Sequence, residues 1–324
     1  MIALAQALAP AQARPGRTCP TAYRYSPRSF DREPDLEAET LYVVGGLYGN
    51  PEALEAVLEM AAREPHPARV VFNGDFHWFD VQARDFSRVN AQVLAHAAIR
   101  GNVETEIAGE DAGAGCGCAY PADVGDAEVA RSNEILARLR DTARGFPMAR
   151  EALRRLPMLL VARVGKARVG IVHGDCAWLA GWGFAQAALD NPAHARWLES
   201  AFAQAKVDVF ASSHTCLPAM RAFAFAHGAG AVANNGAAGM PNFRGTRHGV
   251  VTRVSVHRAG AGRLYGLDCA GAFVDALPVR FDAPAFERRF LASWPEGSPA
   301  HASYFRRLAA GPDYLPASAA PRGG

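Results

Sequence analysis

The chain contains almost no lysine: apart from Lys166 and Lys206, all of its basic side chains are arginines. With 34 basic and 32 acidic residues, the formal net charge is only +2, which gives no reason to expect nucleic acid or a membrane as a partner. No apolar run is long enough to cross a bilayer. The six cysteines are scattered, which argues against a disulfide framework and favours a cytoplasmic protein.

Strand-like and helix-like segments alternate after an irregular start. Residues 41–44 and 69–72 are short apolar runs that end in glycine or polar residues, as buried strands do. Between them, Asn50 precedes an apolar stripe with helical spacing and predicts the start of a helix. Residues 82–97 predict another helix, and residues 156–172 predict a hairpin. This alternation predicts an α/β layered fold.

Composition also suggests where the domain begins and ends. Residues 1–38 are rich in Pro, Arg and Ala, and we expect an irregular extension there. A single domain then covers residues 39–315, and residues 316–324 are expected to be a disordered tail. Within the domain, residues 105–155 read as an insertion that could cover a functional site.

Four polar side chains follow predicted strands: Asp75, Asn102, His173 and His214. Taken singly, each is more often a turn residue or a hydrogen-bonded core residue than a ligand. Together they lie at the carboxyl ends of strands, where open α/β sheets bind ligands. One carboxylate, one amide oxygen and two imidazoles form a suitable shell for a divalent metal ion such as Mn, Fe or Zn.

Five motifs in order carry a resemblance to a known family. The chain resembles the calcineurin-like metallophosphoesterases, and within them the small bacterial phosphodiesterases, over roughly residues 40 to 280. The motifs lie at residues 45–54, 74–75, 101–104, 172–174 and 213–215. The resemblance implies a four-layer α/β/β/α sandwich with two metal ions at one end.

The resemblance also assigns metal ligands, and three of these positions depart from the family pattern. It places the bridging carboxylate at Asp75 and the other ligands of the second metal at Asn102, His173 and His214. The ligands of the first metal fall on Gly46, Tyr48 and Cys216. Glycine has no ligating side chain, neutral tyrosine is a poor ligand, and a single cysteine makes a thin site. We therefore expect one divalent ion per chain.

Other residues near the motifs are candidates for chemistry or binding. The general acid that the resemblance implies is missing, because its position holds Val103. We predict His77 and Tyr48 as catalytic residues that compensate for the losses. Asn50 and Arg244 are predicted to bind substrate, since a guanidinium can hold a phosphate through two hydrogen bonds.

Three functions are compatible with these residues. The first is a phosphoesterase that hydrolyses a small phosphomonoester or phosphodiester with one retained metal. The second is a non-catalytic descendant that binds a metal or phosphate. The third is a thiol-based metal or redox protein that uses the cysteines at 116, 118, 176 and 216, although a Cys-x-Cys pair alone is a weak signal.

Overall fold

The structure is a computed structural model that describes residues 14–110, 113–260 and 262–322. Its described part contains two six-stranded sheets. In chain order the strands are β1 (Leu36–Ala38), β2 (Thr40–Val44), β3 (Ala68–Asn73), β4 (Ala97–Ile99), β5 (Leu159–Val164), β6 (Ala167–Val172), β7 (Val209–Ser212), β8 (Ala219–Phe225), β9 (Gly228–Asn234), β10 (Gly249–Ser255), β11 (Tyr265–Cys269) and β12 (Ala272–Val279).

The helices flank these sheets. In chain order they are α1 (Pro51–Ala62), α2 (Ala83–Leu94), α3 (Asn102–Ala108), α4 (Asp126–Arg144), α5 (Pro147–Arg155), α6 (Gln186–Leu189), α7 (Ala195–Ala205), α8 (Ala283–Ser293), α9 (Pro299–Ala310) and α10 (Pro316–Ala319). As the sequence predicts, Asn50 caps α1, because its side chain accepts the Ala53 backbone N–H at 2.9 Å.

Strand order explains why the predicted residues meet. One sheet runs β1-β5-β6-β7-β9-β8 and the other runs β11-β12-β10-β2-β3-β4. Strands β2, β3 and β4 are parallel to one another, as are β6, β7 and β9. Each parallel group therefore presents its carboxyl ends at a single edge of its sheet.

Side-chain alternation along the strands builds three apolar layers. On β2, Leu41 and Val43 face the other sheet, while Tyr42 and Val44 face the helices on the outer side. Helices α1, α2 and α8 pack on that outer face, and α7 packs on the outer face of the other sheet. The arrangement is the predicted four-layer α/β/β/α sandwich.

Several segments differ in detail from the sequence expectations. The helix predicted over residues 82–97 ends at Leu94, because Ala97–Ile99 forms β4 at the edge of its sheet. In the expected extension, Leu36–Ala38 pairs with β5, and residues 1–13 lie outside the described part. In the expected tail, Pro316–Ala319 forms α10, and residues 323–324 lie outside the described part.

The helices found in the described ranges are too short or too polar to cross a membrane.

Candidate metal centre

The four predicted ligands converge at the carboxyl ends of the parallel strands. Asp75 follows β3 and Asn102 begins α3 just after β4, so both come from one sheet. His173 follows β6 and His214 follows β7, so both come from the other sheet. All four side chains are buried, and the centre lies where the two sheets meet.

The Nε2 atom of His173 lies at the middle of this cluster. It is 3.3 Å from Asp75 Oδ1, 3.0 Å from Asn102 Oδ1 and 3.1 Å from His214 Nδ1. The ligand atoms of Asp75, His173 and His214 all lie within 4.8 Å of one another. A compact group of this kind can surround a single ion.

Backbone carbonyls set the orientation of both rings and of the amide. His173 Nδ1 lies 2.9 Å from the Asn73 carbonyl, and His214 Nε2 lies 3.1 Å from the Cys118 carbonyl. Because a carbonyl only accepts, each of these ring nitrogens carries the proton, and the other ring nitrogen presents a lone pair. Asn102 Nδ2 donates to the Cys116 carbonyl at 2.9 Å, so its Oδ1 also faces the cluster.

With both histidines neutral, four acceptor atoms face one another with no N–H or O–H between them. Such an arrangement is unfavourable unless His173 takes up a proton or a metal cation lies among the four atoms. Ligand bonds of about 2.0–2.2 Å in tetrahedral or octahedral geometry would separate neighbouring ligands by about 2.8–3.6 Å. The observed separations of 3.0 to 3.3 Å fall in this range. The residues present fit one divalent ion, and the carbonyls behind the ligands supply the support usual at metal sites.

Without an ion, the electrostatics of the two histidines differ. Burial acts to lower the pKa of His173, but the Asp75 carboxylate and the Asn73 carbonyl outweigh burial and raise it overall. Burial, followed by the neighbouring His173, lowers the pKa of His214 to about 3. His214 is therefore neutral and available as a ligand at neutral pH.

The buried carboxylate of Glu104 holds the Asp75 turn in place. Its Oε2 accepts the backbone N–H groups of Asp75 and Gly101, each at 2.8 Å. Its Oε1 accepts those of Phe76 at 3.0 Å and His77 at 3.3 Å. Asp75 adopts a left-handed conformation with a φ of 51°. Because this conformation is unfavourable for residues other than glycine, the hydrogen bonds to Glu104 explain how the turn is maintained.

A tyrosine and a cysteine occupy the positions that the resemblance assigns to the first metal. The Tyr48 hydroxyl lies 2.8 Å from Cys216 Sγ. Burial is the main reason that the pKa values of the Tyr48 phenol and the Cys216 thiol are both raised, so both groups are neutral. A Cβ atom on Gly46 would lie only 2.8 Å from the Tyr48 ring. These residues do not fit a second ion.

The cluster opens onto a small cavity with an aromatic cover. The cavity has a volume of about 30 Å³, and Asp75 and His214 line it. Five aromatic side chains also line it, namely Tyr48, Trp78, Tyr120, Trp182 and Tyr304. The Trp182 indole N–H donates to the Cys118 carbonyl at 3.1 Å, and its ring packs edge-on against His214. The space accommodates an ion or a water molecule.

Of the other predicted site residues, only Tyr48 lines this cavity. His77 points into the core, where Nδ1 lies 2.6 Å from Asp80 Oδ2 and the ring stacks on Phe86. Asn50 uses its side chain to cap α1 and to donate to the Gly239 carbonyl at 2.9 Å. Arg244 lies at the surface and pairs with Asp313. The structure does not bring these three side chains to the cluster.

The sequence does not predict the roles of several other residues at the centre. Glu104 follows the Asn102 motif, but nothing local shows that its carboxylate turns back onto the Asp75 loop. The Cys116–Cys118 loop contributes two carbonyl oxygens, which no side-chain pattern reveals, and the Cys118 sulfur, 3.6 Å from Asn102 Nδ2. Tyr304 belongs to α9 and reaches the cavity only through the packing of distant segments.

Comparisons with solved structures agree with this architecture. No protein-family model matches the chain, and no curated protein matches it. A metallophosphoesterase from Sphaerobacter thermophilus is similar over 85% of this chain and 100% of its own, with a TM-score of 0.52 and 18% identity. A hypothetical protein from Pyrococcus horikoshii OT3 is similar over 85% of this chain and 99% of its own, with a TM-score of 0.56 and 18% identity. The chain therefore has the fold of the metallophosphoesterases.

Proposed function

We propose that this protein is a divergent member of the metallophosphoesterase family that uses one divalent ion to hydrolyse a small phosphomonoester or phosphodiester. The convergence of four acceptor atoms at the strand ends supports the proposal most strongly. In this proposal Asp75, Asn102, His173 and His214 hold the ion. The neighbouring position, with Tyr48 and Cys216, holds none.

A divalent ion at this centre would polarise a phosphoryl oxygen and lower the pKa of a water molecule. The protein's own residues orient the metal ligands and present a hydroxyl to the phosphate ester. The carbonyls of Asn73, Cys116 and Cys118 fix the ligand side chains. Tyr48 lines the cavity together with Asp75, and it keeps its proton because burial raises its pKa. In this proposal its hydroxyl, like those of Tyr120 and Tyr304 on the same cavity, donates a hydrogen bond to a phosphate ester oxygen.

The aromatic cover limits access to this centre. A cavity of about 30 Å³ is too small for a phosphate ester, so substrate enters only when the cover moves. Trp182 packs against His214, Tyr120 packs against Trp182, and Tyr304 also lines the cavity. Because one ion supplies less charge stabilisation than two, we expect slow hydrolysis of generic nitrophenyl esters.

The same small cavity favours a second candidate function. A descendant that keeps the ion for binding or regulation, without turnover, needs no substrate cleft. The contact between Tyr48 and Cys216 fills the space that a two-ion centre requires. In this candidate function the same four residues hold the ion, so ion binding alone does not distinguish it from the enzyme.

Hydrolysis assays on metal-loaded protein separate the two candidates. Wild type would be loaded in turn with Mn²⁺, Fe²⁺, Zn²⁺ or Mg²⁺ and assayed with nitrophenyl phosphomonoesters and phosphodiesters. We expect slow, metal-dependent hydrolysis that is lost in His214→Ala and kept in His227→Gln, which changes an exposed histidine away from the centre. Circular dichroism would check that both variants fold.

Two outcomes would count against the enzyme. A wild-type protein that binds the ion and shows no turnover would favour the non-catalytic candidate. Activity that survives in a folded His214→Ala variant would place the chemistry elsewhere and contradict the proposal.

A further inference from the structure

A second cluster of potential metal ligands lies at the opposite edge of the β2–β3 sheet. Glu39 directly precedes β2, His66 precedes β3, and His257 follows β10. Thr40 pairs with Ala68 on β3 and with Ser255 on β10. The strand register therefore brings one ligand from each of three adjacent strands to the amino-terminal end of β2, away from Asp75.

The three side chains are already close. Their ligand atoms all lie within 4.8 Å of one another. Glu39 Oε2 lies 3.2 Å from His257 Nε2, which is close to the separation of about 3.3 Å between neighbouring ligands in a tetrahedral zinc site. The His66 and His257 rings stack with their centroids 4.0 Å apart.

Hydrogen bonds hold the backbone beneath two of these side chains. The Val256 N–H and the Ser255 hydroxyl each donate to the Glu39 carbonyl at 3.0 Å. The His257 N–H donates to Ser255 Oγ at 3.0 Å, and the buried hydroxyls of Thr40 and Ser255 lie 2.8 Å apart. The positions of Glu39 and His257 are therefore set by the sheet rather than by a free loop.

We propose that Glu39, His66 and His257 form a second metal site, distinct from the strand-end centre, that takes a borderline ion such as Zn²⁺. Two imidazoles and a carboxylate are a ligand set that zinc uses in proteins. Three protein ligands leave the fourth tetrahedral position to water or to another ligand.

Ion binding requires one change in the side chains. In the stack, the two rings are inclined by only 14°, so their nitrogens do not point at a common position. His66 is exposed, and rotation about its side-chain torsions can redirect its nitrogen towards Glu39 and His257. This adjustment and the exposure of the cluster make the site weaker than the buried centre.

A groove of about 710 Å³ lies beside the cluster and has room for an anion that would be the fourth ligand of the ion. His66 and His257 line it, together with Arg63 and Arg258. An anionic group in this groove would approach the open position of the ion and the two arginines, which also pair with Glu59 and Asp268. The site therefore fits a zinc ion whose fourth ligand is water or a small anion.

Zinc content measured on five proteins tests the proposal. Chelator-treated protein would be incubated with Zn²⁺, passed through gel filtration and analysed for metal. We expect two ions per chain in wild type, one in His257→Gln, one in His214→Ala and none in the double variant. His227→Gln, at an exposed histidine outside both clusters, is the matched control and should retain two.

The two sites can fail independently in this experiment. A wild type that binds one ion, lost with His214→Ala and kept with His257→Gln, would refute the surface site and leave the strand-end centre intact. A His257→Gln variant that retains two ions would also refute it. Unchanged circular dichroism and melting of metal-free His257→Gln would exclude misfolding as the cause of a lost ion.

Discussion

Replacing Glu104 by glutamine tests how the metal centre is maintained. The carboxylate accepts four backbone N–H groups, from Asp75, Gly101, Phe76 and His77. Glutamine keeps one oxygen and replaces the other by an amide NH₂ group, which only donates. Two buried N–H groups would then face another donor and have no acceptor.

The size of the effect follows from these contacts. Each buried donor left without a partner costs about 1–3 kcal/mol, so Glu104→Gln should lower the free energy of unfolding by about 2–6 kcal/mol. This is a large share of the roughly 5–15 kcal/mol that stabilises a typical domain. Because the Asp75 turn loses its support, metal affinity should fall as well.

Urea unfolding and metal content would measure both effects. Glu134→Gln is the matched control, since Glu134 is exposed on α4 and its replacement should change stability by less than about 0.5 kcal/mol. A Glu104→Gln protein that unfolds at the wild-type urea concentration and binds the metal normally would refute this role of Glu104.

Three further substitutions give measurable outcomes. Gly46→Asp should lower stability in urea by at least about 1–2 kcal/mol, because φ is +65° and the new Cβ would lie 2.8 Å from the Tyr48 ring. Cys118→Ser should leave metal content unchanged, since the carbonyl that holds His214 is retained and a serine oxygen can accept the Asn102 amide in place of the sulfur. Arg221→Met should destabilise the protein by about 1–3 kcal/mol, because it removes the buried guanidinium that binds Asp190 and leaves that carboxylate only the exposed Arg322 as an ion-pair partner. Hydrogen bonding to Arg221 lowers the pKa of Asp190 below 3.8. The stability difference between wild type and Arg221→Met should therefore be present above pH 3.8 and disappear as the pH falls through the lowered pKa. Thermal melting of both proteins across this pH range would measure it.

Local sequence signals predicted the parts of the fold that depend on neighbouring residues. The Asn50 cap and the apolar stripe after it determine α1, and the hairpin of β5 and β6 follows from two apolar runs joined by a short turn. The sequence also predicts that Asp75 and His173 each follow the end of a strand. Parallel strands bring their carboxyl ends to one edge of a sheet, so the strands place Asp75 beside Asn102 and His173 beside His214. That the two pairs meet across the sheets was implied by the family resemblance and not by the strands.

Side-chain direction after a strand could not be predicted in the same way. His77 is two residues from Asp75 in sequence, yet the left-handed turn at Asp75 directs it into the core against Asp80 and Phe86. Arg244 follows a glycine-rich segment, but Asp313, near the end of the chain, binds it at the surface. Both outcomes depend on backbone conformation and on partners distant in sequence.

The cover of the centre is a further feature of long-range packing. Tyr120 precedes α4 and Tyr304 belongs to α9, and these two helices pack against each other. The expectation that residues 105–155 could lie over the site rested on composition, which cannot specify that carbonyl oxygens of this segment support the ligands. These contacts emerge only from the folded chain.

Anomalous diffraction from crystals loaded with Mn²⁺ or Zn²⁺ would show whether the strand-end centre holds a single ion, because it locates each ion. We predict one peak at the strand ends, about 2.0–2.2 Å from ligand atoms of Asp75, Asn102, His173 and His214. No peak should lie beside Tyr48 and Cys216. An absent peak among the four ligands, or two peaks there separated by about 3.5–4 Å as in a two-metal centre, would contradict this prediction.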